Sequence, residues 1–524
     1  MNIEKSQVVW LGSRKGSNIR YIPQLKLQWN PEKFTVLGIK FSTDLRKINE
    51  LNYKNKLEEI KRLINQWSKR ILTPLGKITV AKSLLVSRLT YLFMALPDPP
   101  DDFLMELHRI LFKFIWSNKP DRIARNNICK HYEQGGLKMI DIFKFLKSLK
   151  CTWIRRMFNR ETKWKSLLLA LFPQITKLTS LGNTYVNQCI QRISNPFWKH
   201  VLRAYSVFHN NVTISTFSDY LAEPIFYNSN IKIGNKEIYR QDLFDAGLTQ
   251  VADFYSDNGQ IFSWEEFKEI QNIETVNYLE YYGITRSVTK YLAKLNIDPG
   301  THNAPSERPA AVNTLINENM KASQIVYNAL ISSNSQMKIV TKWESIFEDE
   351  LEWSKIFLLP KKTTKDTKLR WFQYRLLHRI LPSNTYLKKI GIKNDDKCGF
   401  CNHDVEDINH LFWHCEKVQT FWNDFIDWIH SNCIHTQYLN LDLQLVLFGF
   451  RKNNKTDKGF DLLLLLAKFY IYKCKLKNVP LSLTHFKNEA KSRYKIEKCI
   501  AYTSCNFERF SKTWLLYNAL LNET

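Results

Sequence analysis

Within 18 residues the chain places Cys398-Gly-Phe-Cys401, then eight residues to His410, then four to Cys415. This spacing limits the local fold more than any other feature of the sequence. Zinc takes four tetrahedral ligands from thiolate and imidazole, and two cysteines separated by two residues form a chelating turn. Gly399 is expected to help that turn close. Downstream, Ile408, Leu411, Phe412, Val418, Phe421, Phe425 and Trp428 recur at helical spacing over 408–430. On an ideal helix His410 and Cys415 lie about 140° apart, and His410 and His414 about 40° apart. The spacing therefore leaves the fourth ligand open between Cys415 and His414, with His403 in the loop as a weaker alternative. Cys415 requires a distorted or late-starting helix. With four protein ligands the site is closed, which suits structural zinc and not hydrolytic zinc chemistry.

The rest of the chain has the material to fold. Its 524 residues suggest roughly three domains of about 150 residues each. Hydrophobic residues make up 44% and charged residues 24%, enough apolar content for real cores and too much for a disordered tail. The ten cysteines, with no signal peptide expected in Met1-Asn-Ile-Glu-Lys-Ser6, point to a reducing, intracellular compartment, nuclear or cytoplasmic. The most apolar stretch, 461–472, is interrupted by Lys468 and shorter than the ~20 residues a spanning helix needs, so it reads as a core helix and no membrane partner is expected.

Charge is distributed unevenly. The net charge of +26 divides into +19 over residues 1–170, −4 over 171–350 and +11 over 351–524. A basic, aromatic-rich, folded chain of this kind suits polyanionic partners better than small acidic substrates.

Along the chain, Val8–Leu11 and Phe34–Phe41 read as short strands. From about residue 50 the period becomes helical: Leu57, Ile60, Leu63, Ile64, Trp67 and Ile71 share one face. Thr73-Pro74 reads as the N-cap and first residue of a second helix carrying Leu75, Ile78, Ala81, Leu85 and Leu89. Lys69, Arg70, Lys77, Lys82 and Arg88 cluster near the junction of these helices. After Pro97–Asp102 a third helix carries Leu104, Leu107, Ile110, Leu111 and Phe114, and 142–172 is helical and basic. The middle, 173–350, is mixed, with short strands around Phe226–Ile233 and a linker near 298–309. The remainder is helix-rich.

Catalytic signatures are sparse. A polymerase palm needs clustered carboxylates to hold two metals. Asp101-Asp102 opens a helix, where capping explains it, and Asp395-Asp396 lies in a polar loop beside the cysteine turn. No phosphate-binding Gly-rich loop, Gly-x-Ser-x-Gly elbow or His-Glu-x-x-His string occurs. The chain is expected not to be an enzyme by itself, and no catalytic residue is assigned.

Several motifs together resemble the C-terminal half of the polyprotein of LINE-type non-LTR retrotransposons. Asn2–Gly12 is similar to the Asn-x-x-Lys-Thr segment late in the reverse transcriptase palm, with Ser6 for Thr. Val36-Leu-Gly-Ile39 resembles the Tyr-Leu-Gly-Ile primer-contacting hairpin, with Val36 for Tyr. Trp67–Lys82 resembles the first two thumb helices, and Phe114-Ile-Trp116, Arg122-Ile-Ala-Arg125 and Gly135-Gly-Leu137 continue the pattern. Trp371-Phe-Gln-Tyr-Arg375 through Cys415 looks like the reverse-transcriptase-associated zinc-binding region. In that family the closing ligand is Cys in His-Leu-Phe-x-x-Cys, which matches His410–Cys415 and favours Cys415 over His414.

The resemblance implies a mainly α fold with minor β: a palm-like β remnant at 1–45, a thumb-like basic helical bundle at 46–172, a mixed α/β middle at 173–350, a zinc-binding region at 351–430 within a helical C-terminal domain, and a C-terminal helical segment at 431–524. In the family the endonuclease and the palm's Asp-Asp lie upstream of every matched motif. The resemblance therefore implies a truncated product: a nucleic-acid-binding portion, the distal part of an RNA-directed DNA polymerase split by its gene model, or a non-functional relic. RNA and DNA are the implied partners, with the catalytic half of the same polyprotein as another. A template–primer duplex would be held by its phosphates through Lys69, Arg70, Lys77, Lys82 and Arg88, extended by Arg122 and Arg125, and Phe400 would offer a platform for stacking bases.

Overall fold

A computed structural model describes residues 6–10, 12–19, 27–29, 33–159, 161–271, 276–299, 304–306, 308–316, 319–331, 337–347, 351–432, 440–449 and 457–522. Residues 1–5 and 11 of the palm-like motif, and 300–303 and 307 of the expected linker, lie outside that set. The described chain is mainly helical with little strand. It forms two compact units whose segments interleave: Met1–Asn65, Ser83–Ile110 and Ile140–Ser333 in one, Gln66–Lys82, Leu111–Met139 and Asn334–Thr524 in the other. The boundaries expected at 46, 173 and 351 differ from these because the units follow which helices share a core.

In the first unit the run Phe34–Phe41 is a hairpin and not one strand. Lys33–Val36 pairs antiparallel with Ile39–Ser42. The two connecting residues, Leu37 at φ 49° and Gly38 at φ 80°, both take the left-handed conformation that a tight two-residue turn demands. Gln7–Val8 pairs in parallel with Gln28–Trp29. The helix Ile142–Asn159 packs against Pro196–His209 and Ala322–Ile331. Tyr205, Phe208, Tyr220, Phe226, Phe254 and Val288 fill the core they share. Phe226 lies in a turn and is wholly buried in this core, and among the described residues of the middle the strands are the pair Lys232–Ile233 and Lys236–Glu237.

In the second unit Asp457–Lys477 is the central helix. Leu462 through Ala467 are all buried, as is Ile471, so nearly every side is covered, the signature of a core helix. Around it lie Trp353–Thr363, Thr367–Leu377, Glu416–Asn432, Leu443–Phe448, Leu483–Thr503, Phe507–Thr513 and Leu515–Asn522. Lys468, on this helix, is buried. It donates to Gln373 Oε1 at 2.9 Å and to the Leu447 carbonyl at 3.0 Å, while Gln373 donates to the same carbonyl at 2.7 Å. Burial holds the Lys468 amine far below its usual range, at about 7.

Thr73 caps the next helix as the sequence indicates: its Oγ1 accepts from Gly76 N at 3.3 Å, with Pro74 in the first helical position. The helical run Pro74–Ala95 contains a π segment at Ala81–Val86. By length and composition this run is apolar enough to cross a membrane. Such a run also describes a core helix; Ala81, Leu85, Val86, Leu89 and Phe93 are buried, and it carries Lys77, Lys82 and Arg88.

Candidate metal centre and candidate nucleic-acid interface

Two different backbone devices bring the ligands together. The first is a knuckle. Lys397 and Val405 form an antiparallel bridge, Cys398 N donates to Asp404 O at 2.8 Å, and Asn402 N donates back to Cys398 O at 2.9 Å. Phe400 N donates to Cys398 Sγ at 3.4 Å, a hydrogen bond that stabilises a thiolate there. The left-handed residue of this turn is Asn402, at φ 62°, and not Gly399. The expectation that Gly399 closes the turn is corrected accordingly: an asparagine tolerates that conformation.

The second device is a π turn at His410–His414. Cys415 N donates to His410 O at 3.0 Å, a bond spanning five residues. A π turn closes its hydrogen bond one residue later than an α turn. His410 and Cys415, on opposite sides of an ideal α-helix, therefore come to one side. Cys415 then leaves the helical conformation, with ψ 126°, and the α-helix restarts at Glu416. Asp407 Oδ1 accepts from His410 N at 2.7 Å and fixes the start of the turn. Leu411 and Phe412 point into the core, where Trp422 Nε1 donates to Phe412 O at 2.8 Å and Phe412 packs on Phe372 with ring centres 6.0 Å apart.

Cys398, Cys401, His410 and Cys415 are all buried, and their ligand atoms lie within 4.8 Å of one another. Cys398 Sγ and Cys415 Sγ are 3.8 Å apart, and Cys401 Sγ and His410 Nε2 are 3.5 Å apart. A zinc tetrahedron with bonds of about 2.3 Å to sulfur and about 2.0 Å to nitrogen has edges of about 3.8 and about 3.5 Å. The donor set fits zinc, and these two separations match edges of its tetrahedron. His414 and His403 are exposed and outside the cluster. The thiols share a hydrogen bond that pushes Cys398 up and lowers Cys415.

The support of this site was not apparent from the sequence. Glu406, wholly buried, accepts from Gly399 N at 3.2 Å and from Asn384 N at 2.8 Å, and pairs with Lys475 of the central helix. Lys475 also donates to Pro382 O at 2.7 Å. Burial lowers the Lys475 amine, with Glu406 opposing that shift. A Glu among loop polar residues and a Lys near a helix end carry no periodic signal that marks them as partners. The Trp371–Arg375 motif is scaffold: Phe372 backs the π turn and Gln373 binds Leu447 and Lys468.

A closed, buried Cys3His centre of zinc type is the class of site defined here. Residues 337–422 match the family model described as zinc-binding in reverse transcriptase. The chain therefore carries a reverse-transcriptase-associated zinc-binding region.

The expected nucleic-acid contacts sit in varied settings. Lys69 and Arg70 are exposed, with the Arg70 guanidinium 4.8 Å from the centre of the Trp67 ring. Arg122 is exposed. Lys77 is only 6% exposed, donates to Ser117 Oγ at 2.6 Å and is lowered by burial. Lys82 is exposed and donates to Lys138 O at 3.1 Å. Arg88 pairs with Glu59 within the first unit. Arg125 pairs with Asp121 at 2.7 Å and lies 4.9 Å from the Phe112 ring centre. Phe400 is half-buried against the core of the second unit. Lys69, Arg70, Arg122 and Lys82 thus present charge to solvent, whereas Lys77, Arg88 and Arg125 already have protein partners.

Proposed function

We propose that this chain is the nucleic-acid-binding C-terminal portion of a non-LTR retrotransposon reverse transcriptase. It binds RNA and a template–primer duplex and does not itself polymerise. The observation that carries this reading is the match over 337–422 coinciding with a buried Cys3His cluster of zinc geometry. The positive excess of the flanking segments supports it, since a strong basic balance is the electrostatic footprint of phosphate binding. In this reading zinc holds the fold of the binding region, exposed cations such as Lys69, Arg70 and Arg122 position the backbone, and Phe400 stacks on a base. The carboxylates that bind catalytic metals come from another part of the same polyprotein.

The test is binding of labelled RNA and of an RNA–DNA duplex by the zinc-loaded chain across a salt series. Affinity falls steeply with salt, and K69E/R70E weakens it about tenfold, since each charge reversal takes away an attraction to phosphate and adds repulsion. Absence of binding at low salt overturns the proposal. Nucleotide incorporation on a primed template by the chain alone overturns the non-catalytic assignment.

A further inference from the structure

Among the cations outside the zinc site, one group converges on a single ring. Lys361 Nζ lies 4.0 Å from the centre of the Tyr132 ring and Lys138 Nζ lies 5.3 Å from the same centre. Lys82 Nζ donates to the Lys138 carbonyl at 3.1 Å. Arg370 donates through Nη2 to the Lys361 carbonyl at 3.1 Å and through Nε to the Thr364 carbonyl at 2.6 Å. All five residues belong to the second unit. The hydrogen bonds and ring contacts that gather these cations come from backbone carbonyls and one aromatic face, with Glu133 near Lys361 and Asp366 near Arg370 offsetting part of the charge.

The backbone holds this arrangement in place. Lys138 adopts φ 54°, a left-handed conformation that is unfavourable for a non-glycine residue. The preceding turn fixes it. Gly136 N donates to His131 O at 2.8 Å and Lys138 N to Lys130 O at 3.0 Å. A Cβ on Gly136 would lie 2.0 Å from the Lys130 carbonyl oxygen, and one on Gly135 2.3 Å from Met337 Cε. Gly136 is therefore required by packing against the Lys130 backbone, and Gly135 is favoured by its left-handed φ of 75°. Their turn delivers the Lys138 side chain to Tyr132.

We propose that Lys82, Lys138, Lys361 and Arg370, gathered around Tyr132, form a site for the phosphodiester backbone of a nucleic acid. The proposal rests on the nucleic-acid reading above and assigns it a surface that the basic helices at 67–88 do not include, apart from Lys82. Like charges held together favour a ligand of high negative charge density. Lys82 is exposed overall, yet desolvation around its amine lowers it, with Lys138 and Lys361 adding to the shift. Burial likewise lowers Lys361, with Lys138 and Arg370 adding to it and Glu133 opposing it. A bound phosphate relieves that repulsion. The lysines occupy the neighbourhood of the aromatic ring itself, so Tyr132 orients cations and is not a platform for a base. Lysine ammonium groups bind phosphate as point charges, which suits contacts that position a strand without reading its sequence.

The test uses the zinc-loaded full chain with labelled single-stranded RNA and an RNA–DNA duplex, by fluorescence anisotropy over a KCl series. K138Q/K361Q raises Kd about tenfold at low salt and reduces the slope of log Kd against log salt by about two, because each lysine neutralises about one phosphate. K138R/K361R keeps the charges and retains native affinity, which distinguishes removal of charge from damage to the fold. Unchanged Kd and slope in K138Q/K361Q, with native binding intact, overturns this site and leaves the functional reading standing. A native chain that binds neither nucleic acid overturns the functional reading and this site with it. Displacement of the nucleic acid by polyglutamate at equal charge concentration assigns the surface to acidic protein and overturns the proposal.

Discussion

Cys415 reaches the metal site because the backbone before it is a π turn. The distinction from His414 is one residue in sequence and the whole of the site in space: Cys415 is buried with the other ligands, and His414 faces solvent. C415S is expected to lower bound zinc well below one ion per chain, measured by metal analysis after gel filtration, while H414A retains it. Undiminished zinc in C415S would remove Cys415 from the ligand set. At this scale the ligand types and three of the ligands were legible in the residues, because the chelating pair and His410 are separated by a fixed spacing. The fourth was not, because helical periodicity assumes an α turn. Resemblance to the family string supplied Cys415, and the π turn supplies its physical reason.

Among the elements, the knuckle and the central helix are joined by one buried ion pair. Glu406 binds Gly399 N and Asn384 N and pairs with Lys475 of Asp457–Lys477. Removing one partner of a buried pair costs about 3–5 kcal/mol, because the other charge is left without compensation. E406Q should therefore destabilise the chain by about 3 kcal/mol in urea unfolding. E406Q/K475M should lose less than the sum of the single variants, since the second change removes the orphaned charge. Additive losses would show that the pair is not coupled. Helix existence was readable here: Pro74 with its Thr73 cap and the apolar run at 461–472 both fall where the sequence indicates. The hairpin within Phe34–Phe41 was indicated only by the resemblance of Val36-Leu-Gly-Ile39 and not by strand patterning, because Leu37 occupies a turn position that glycine or asparagine more often marks.

In the molecule as a whole the zinc ligands sit in the core of one compact unit, beside Phe372, Phe412, Trp422 and the central helix. Ligation energy is therefore folding energy for that unit. Chelation should increase hydrogen exchange in 384–432 and in the central helix, while Ile142–Asn159, which belongs to the other unit, keeps its protection. Equal loss of protection in both segments would mean that the metal stabilises the chain globally. The expected segment boundaries at 46, 173 and 351 do not coincide with these units. Residues 66–82 and 111–139 share a unit with the zinc-binding region although they lie about two hundred residues or more before it in sequence. Composition records which residues are basic; it does not record which helices share a core.

The sequence by itself determined the helical class, the zinc donors Cys398, Cys401 and His410, the Thr73-Pro74 helix start and the basic excess of both ends. Each depends on local spacing or simple counting, and local spacing survives without knowledge of distant partners. Resemblance named Cys415 and the tertiary structure brings it into the donor cluster; tertiary structure alone decided that Glu406 and Lys475 support the cluster, that Lys77 is buried, and that Lys82, Lys138, Lys361 and Arg370 surround Tyr132. These outcomes depend on contacts between residues up to hundreds of positions apart. Burial and mutual charge, which set what a side chain does, arise only when those segments pack.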